Sequence, residues 1–243
     1  MQDRFAGDVG DYGKFALLKI LCQNCKLGVV WYLVPDETHT HDGKFTNYAH
    51  LKHLEPGLFW KLQKVLKGKR SVRAVQKSGI LTQTTVYYDP LLSFKGISPG
   101  DRLKVRAKWV GGALEKTRKC QIVFLDPDNS IEPQSIKSHH LRGPKFVYLD
   151  EVKRFFERGQ SLIIYHHLGR KGDAENQIEE KTKQISKRLQ VHQSKVIAVR
   201  YRRGTSRVFF IVIHKNHESL LRKAIDLVRQ SQWVHEGHCS FAP

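Results

Sequence analysis

Apolar positions along the chain follow two patterns that take turns. Spaced stripes mark helices. Over residues 12–24, Phe15, Leu17, Leu18 and Leu21 form one broad face, the recurrence of a half-buried helix. Unbroken runs mark strands. Residues 28–35, GVVWYLVP, are β-branched and aromatic and stop at a proline, as a strand covered on both sides does. Further helices are predicted over 56–67, where a proline suits the first turn, and over 101–117, 148–158, 173–190 and 217–229. The Gly111–Gly112 pair works against the second of these. Strands are predicted over 84–90 and 121–129, and residues 161–172 repeat a strand followed by polar residues. Residues 195–214 read as two strands around an RRGTS turn.

Apolar runs set between helices imply a parallel sheet covered on both faces. The expected architecture is therefore α/β: a mostly parallel sheet, helices on both faces, and an antiparallel strand pair towards the C-terminus. One domain over residues 1–243 is expected, with 45–83 a candidate helical insertion. In such sheets ligands bind beyond the carboxyl ends of the strands. The polar residues collect there: PDETHTHDGK follows the first strand, DPDN follows 122–125 and HHLGRK follows 162–165. Three turns from three strands are expected to share one rim.

Charge narrows the partner. Lys and Arg number 42 against 23 Asp and Glu, a formal net charge of +19, which favours a polyanion such as nucleic acid. No apolar run reaches the length of a membrane span, and MQDRFAG has neither the basic end nor the apolar stretch of a secretory signal. A cytoplasmic protein without membrane association is expected. Cys22 and Cys25 form one CxxC; zinc would need two more ligands, with His238 and Cys239 as candidates. Reduced structural thiols suit the cytosol.

The turns carry the candidate chemistry. Asp126-Pro127-Asp128-Asn129 is either a tight turn or a rigid acidic strand end that takes hydrogen bonds from an amino group or holds a metal. Two carboxylates beside a buried strand are costly without a ligand or cation. His166 and His167 point to opposite faces if the strand persists, so at most one faces the rim. Arg170 and Lys171 suit phosphate contacts. Asp36, Glu37, His39, His41, Asp42 and Lys44 form either a solvated loop or a ligand-dense one. Arg200, Arg202, Arg203 and Arg207 surround the hairpin turn, and KGKRSVR (67–73) is a second basic stretch. Both are candidate backbone-binding surfaces or solubility features.

The opening RFAGDVGDYGKFALLKIL spaces Gly7, Gly10 and Gly13 by three residues. Glycine admits close backbone approach, Asp11 can cap the helix, and its free amides can meet an acidic ligand group. Lys14 opposes the helix dipole where it stands, which marks it for another task.

These segments resemble a family. AGDVGDYGKFALLKIL and FLDPDN resemble the helix start and the Asp-Pro-Pro-Tyr motif of the large-subunit ribosomal RNA adenine-N6 methyltransferases. The chain also resembles a bacterial and phage family that shares GDxGDYxK, LDPDN and YHH. The first resemblance implies a Rossmann-like fold using S-adenosylmethionine, with Lys14 on the cofactor and Asp126 and Pro127 gripping the target amino group. Cofactor-binding candidates are then Asp11, Lys14, Asp36, Glu37 and Gly43; catalytic candidates are Asp126, Asp128, Asn129, His166 and His167. Nucleic-acid candidates are Arg170, Lys171, Arg202, Arg203 and Arg207. Two departures stand out. PDETHTHDG replaces the family's glycine-rich cofactor loop, and Asn129 replaces its base-stacking aromatic. Two alternatives follow from the residues. One is a metal-dependent nuclease or phosphoesterase holding Mg²⁺ or Mn²⁺ on Asp36, Asp42, Asp126, Asp128 and a histidine. The other is a non-catalytic nucleic-acid binder.

Overall fold

The computed structural model describes residues 1–37, 43–169, 172–203 and 205–242; the side chains of Arg203 and Thr205 lie outside that description. Helix α1 (Val9–Leu21) leads into strand β1 (Leu27–Trp31). Two helices, α2 (Pro56–Lys67) and α3 (Val72–Lys77), intervene before β2 (Val86–Tyr88). The chain continues through α4 (Arg102–Lys116), β3 (Ile122–Asp126), two short strands β4 (Ser130–Ile131) and β5 (Phe146–Val147), and α5 (Leu149–Phe156). Then come β6 (Ser161–His167), α6 (Ala174–Leu189), the hairpin β7 (Val196–Arg203) and β8 (Thr205–Val212), α7 (Glu218–Arg229), α8 (Gln232–His235) and β9 (Cys239–Phe241).

Seven strands form one sheet in the order β2-β1-β3-β6-β8-β7-β9; β4 and β5 form a separate parallel pair. The strands β2, β1, β3 and β6 are parallel, and β8, β7 and β9 each run antiparallel to the strand before them. Side-chain alternation splits the core into two layers. Val29, Trp31, Phe124, Ile163 and Tyr165 face α1, α2 and α7, while Val30, Val123, Leu125 and Ile164 face α4, α5 and α6. No helix among the described residues is long and apolar enough to cross a membrane.

One boundary differs from the sequence reading for a physical reason, and one predicted helix, over 101–117, forms despite its glycines. Helix α1 starts at Val9 because Asp8, and not Asp11, is its cap: the Asp8 side chain accepts the Asp11 amide at 3.0 Å. Helix α4 runs through Gly111 and Gly112 because Val110, Ala113 and Leu114 are buried, so packing overrides propensity. The short elements α3, β4, β5, α8 and β9 escape a periodicity reading because none is long enough to show a period.

The order of connections sets the position of the site. β1 has β2 on one side and β3 on the other, so the chain changes direction across the sheet between β1 and β3. A crevice opens at the carboxyl ends of such a strand pair. β8 runs against β6, pairing Arg207 with His167, so the start of β8 reaches the same edge.

Candidate functional site

A cavity of about 470 Å³ lies at this edge. Its lining brings together the start of α1 (Asp8, Gly10, Asp11, Lys14), Glu37 and Gly43 from the segment after β1, Asp126 to Asn129, and Tyr165, His167 and Arg207. The three strand-end turns therefore share one rim.

At its floor is a buried charge triad. Lys14 Nζ donates to Asp11 Oδ1 and to Asp126 Oδ2, each at 2.9 Å, and all three side chains are almost fully shielded. Burial alone would pull Lys14 down, but the two carboxylates outweigh it and hold the ammonium above the ordinary lysine value. Asp126 is pushed up by burial against the pull of Lys14. One cation shared by two carboxylates leaves Asp126 incompletely compensated. Aromatic rings of Phe15, Trp31, Phe124 and Tyr165 surround the ammonium at 5.4 to 6.0 Å.

The glycine spacing of α1 also finds its explanation. A Cβ on Gly13 would meet the Tyr201 ring at 2.4 Å, and one on Gly10 would meet the Arg207 guanidinium at 2.8 Å. The close approach made possible by glycine is thus by the β7–β8 hairpin. The helix start is closed as well: Asp11 Oδ2 accepts the Gly7 amide at 2.9 Å, and Phe45 accepts that of Val9 at 2.9 Å. These amides are committed within the chain.

A second network forms the acidic wall. Asp128 Oδ2 accepts from Gln2 at 2.9 Å and lies 3.3 Å from Lys145; its Oδ1 accepts no hydrogen bond from the described residues and lies 3.5 Å from the Met1 amine. Burial would raise Asp128, but the Met1 amine, Gln2 and Lys145 outweigh it and hold the carboxyl low. Lys145 also donates to Glu37, and that bond is the main reason Glu37 lies low. Arg106 holds the segment bearing Lys145 by donating to the carbonyls of Gly143 (3.0 Å) and Phe146 (2.8 Å).

The opposite wall is a directed hydrogen-bond chain. Arg207 Nε donates to Tyr165 Oη at 3.0 Å, and Tyr165 Oη lies 2.7 Å from His167 Nε2. Guanidinium is only a donor; we assign the tyrosine proton to the bond with Nε2, which puts the proton of neutral His167 on Nδ1. Burial, reinforced by Arg207, pulls His167 down to about 3, and burial pushes Tyr165 up to about 12. At neutral pH His167 is uncharged and, in that tautomer, a hydrogen-bond donor through Nδ1.

Several expected site residues are placed elsewhere. His166 points to the other face of β6, where its Nδ1 accepts the Ile131 amide at 3.2 Å; its role there is structural. Asp36 accepts the Arg4 amide at 3.3 Å and lies outside the cavity lining. Arg207 is buried in the site and does not form part of an exposed backbone-binding surface. Arg202 is exposed and donates to Ser240 at 3.3 Å. His39, His41, Asp42, Arg170, Lys171 and the Arg203 side chain lie outside the described residues. Among the described residues, no three His, Cys, Asp or Glu side chains are placed to hold a metal ion. Sequence reasoning missed Tyr165, Gln2 and Lys145. Tyr165 carries a signal, since it lies two residues before His167 on one strand face. Gln2 and Lys145 lie in segments with no period.

His166 gives a pH test. Burial, with Lys181 nearby, pulls it down to about 3, whereas the unfolded chain protonates it near the ordinary value of ~6.5. Its contribution to stability is complete above that value and is lost as pH falls towards 3. Asp8, raised by burial to about 6, works oppositely, gaining stability as pH falls through its range. Comparison with His166→Gln isolates the histidine. Between pH 7 and 5 the wild type should lose about 2 kcal/mol more than the variant in denaturant unfolding. A constant difference would refute the assignment.

Neither the scan against protein-family models nor the search of curated proteins finds a match for this chain.

Proposed function

We propose that the protein is a nucleic-acid methyltransferase that uses S-adenosylmethionine and acts on an exocyclic base amino group. The observation that carries the reading is the convergence of Asp126-Pro127-Asp128-Asn129, Lys14 and His167 on one cavity at the β1/β3 switch point. The strand order supports a Rossmann-like methyltransferase arrangement, since the reversed strand β8 is inserted between β6 and β7 beside a parallel set.

The donor set fits the cofactor. Cavities for small ligands run from ~300 to 1,000 Å³, and this one, at about 470 Å³, lies within that range. Its lining offers cations (Arg4, Lys145), acids (Glu37, Asp128) and two aromatic rings (Phe5, Phe45), a mixture suited to a zwitterion joined to an adenosyl group. Those residues would hold it. When bound, S-adenosylmethionine supplies an electrophilic methyl group.

The remaining work falls to the chain. Asp126, the Pro127 carbonyl and Asn129 present acceptors for an amino group. Asn129 is fixed by its backbone, which accepts from the His167 amide (3.1 Å) and donates to Lys145 (2.9 Å). In the assigned tautomer His167 Nδ1–H is a donor on the same rim. Acceptors beside a donor complement a base edge that carries an amino group next to a ring nitrogen, as adenine does. Lys14 holds the Asp126 carboxylate in one orientation, and alignment of two bound reactants supplies most of the acceleration.

Calorimetric titration with S-adenosylmethionine tests the reading, followed by mass analysis of RNA and DNA incubated with enzyme and cofactor. Heat of binding and a methyl mass increment are expected; no heat at millimolar cofactor would overturn the reading. Asn129→Ala should lower the transfer rate about 100-fold through loss of alignment, with cofactor affinity little changed.

A further inference from the structure

We propose that the outer face of α2 and α3 is a docking surface for the phosphate backbone of nucleic acid and leads to the rim of the cavity. The inference rests on reading the acceptor as nucleic acid. Residues 56–88 hold seven Lys and Arg and no Asp or Glu. Between α2 and α3 a groove of about 340 Å³ is lined by Lys61, Lys64, Lys69 and Lys77, with Gly68 at its base. All four lysines are exposed.

The pairing of these charges distinguishes the groove from a solubility surface. On α5, α6 and α7 some cations stand at helical spacing from acids: Lys183 with Glu179, Arg222 with Glu218, Lys153 with Glu157. On α2, Lys61, Lys64 and Lys67 follow one another at three-residue spacing, where like charges destabilise a helix. None of the groove lysines pairs with a carboxylate among the described residues; Lys61 donates to the Gly79 carbonyl at 2.5 Å. Burial of Leu58, Leu62 and Val65 fixes the opposite face of α2 inward, so the cations are held outward. A row of uncompensated cations complements a regularly charged polyanion.

The groove also has a direction. Arg70, at the α2–α3 turn, donates from Nε to the Ala6 carbonyl at 2.9 Å and from Nη1 to the Gly43 carbonyl at 3.1 Å, and Gly43 lines the cavity. The cationic face therefore joins the cavity wall through one side chain. A backbone laid along α2 and α3 would deliver its neighbouring bases to the rim.

The test measures fluorescence anisotropy of labelled RNA and DNA oligonucleotides, single-stranded and duplex, over a salt series. The wild type is compared with Lys61→Glu, Lys64→Glu, Lys69→Glu and Lys77→Glu combined. The reversal should weaken binding at least about 100-fold at low salt and reduce the slope of log affinity against log salt by roughly 3 to 4, at about 0.7 (single strand) to 0.9 (duplex) per lost phosphate contact. The matching Lys→Gln set should move both readouts the same way by less. If the quadruple variant does not fold, the pairs at 61/64 and 69/77 carry the test. Affinity and slope equal to wild type would overturn the surface and leave the cofactor titration, and the function, standing. A wild type that binds anionic phospholipid vesicles but no nucleic acid would overturn both the surface and the acceptor class.

Discussion

Replacing Lys14 with methionine is expected to destabilise the protein by about 3–5 kcal/mol at neutral pH, the usual effect of removing one partner from a buried ion pair. The volume is nearly conserved, so packing is not what changes. Asp11 and Asp126 would be left facing each other in a site almost closed to water. At this chain length the loss corresponds to a fall in thermal midpoint of roughly 6–20 °C, readable by circular dichroism. The loss should shrink at acidic pH, because Asp126 already lies above the ordinary carboxylate range and protonates early. Lys14→Met combined with Asp126→Asn should recover part of the stability at neutral pH, since it removes one of the two stranded charges. A single variant within 1 kcal/mol of wild type (about a fivefold change in the folding equilibrium) would disprove the triad.

Gly13→Ala is expected to destabilise by about 1–3 kcal/mol or more, against the helix-propensity gain of nearly 1 kcal/mol that alanine normally brings. The added carbon would lie 2.4 to 2.7 Å from three atoms of the Tyr201 ring. That ring is fully buried and tethered, its hydroxyl donating to the Val9 carbonyl at 3.0 Å and its centroid lying 6.0 Å from that of Trp233 in a T-shaped pair. Neither the ring nor the helix can yield cheaply. The control is Gly111→Ala in α4, where a Cβ meets nothing within 4 Å; there the propensity gain should appear as added stability of about 0.5–1 kcal/mol. Urea unfolding of both variants decides the matter: if the two move stability in the same direction, close packing is not why Gly13 is glycine.

The contrast shows what a sequence reading can reach. Strand β1 was visible because GVVW is apolar throughout and β3 because IVFL is, and burial on both sheet faces leaves that trace. Alternation also separates His166 from His167, since it depends only on the two-residue repeat of a strand. The partner of each glycine was not visible, because Tyr201 and Arg207 reach α1 only through the register of the β7–β8 hairpin, which no local pattern encodes. The cap was misplaced for a similar reason: Asp8 and Asp11 are both good caps, and the choice is settled by where Phe45 and Gly7 lie. The hairpin arginines looked like a surface group, yet pairing with β6 draws Arg207 inward while Arg202 stays exposed. Composition predicts the sign of a patch but not its burial.

The bond from Tyr201 to Val9 spans 192 residues, and Arg207 closes on Gly10 of the same helix from still farther along the chain. During synthesis α1 emerges long before the ring and guanidinium that fill its glycine notches. Loop-closure entropy must be overcome before such distant contacts form, so the first helix is expected to gain hydrogen-exchange protection only after the hairpin is in place. Assembly of the cavity thus acts as a checkpoint on the whole sheet, and a nascent chain stalled before residue 200 carries an open, unfinished pocket.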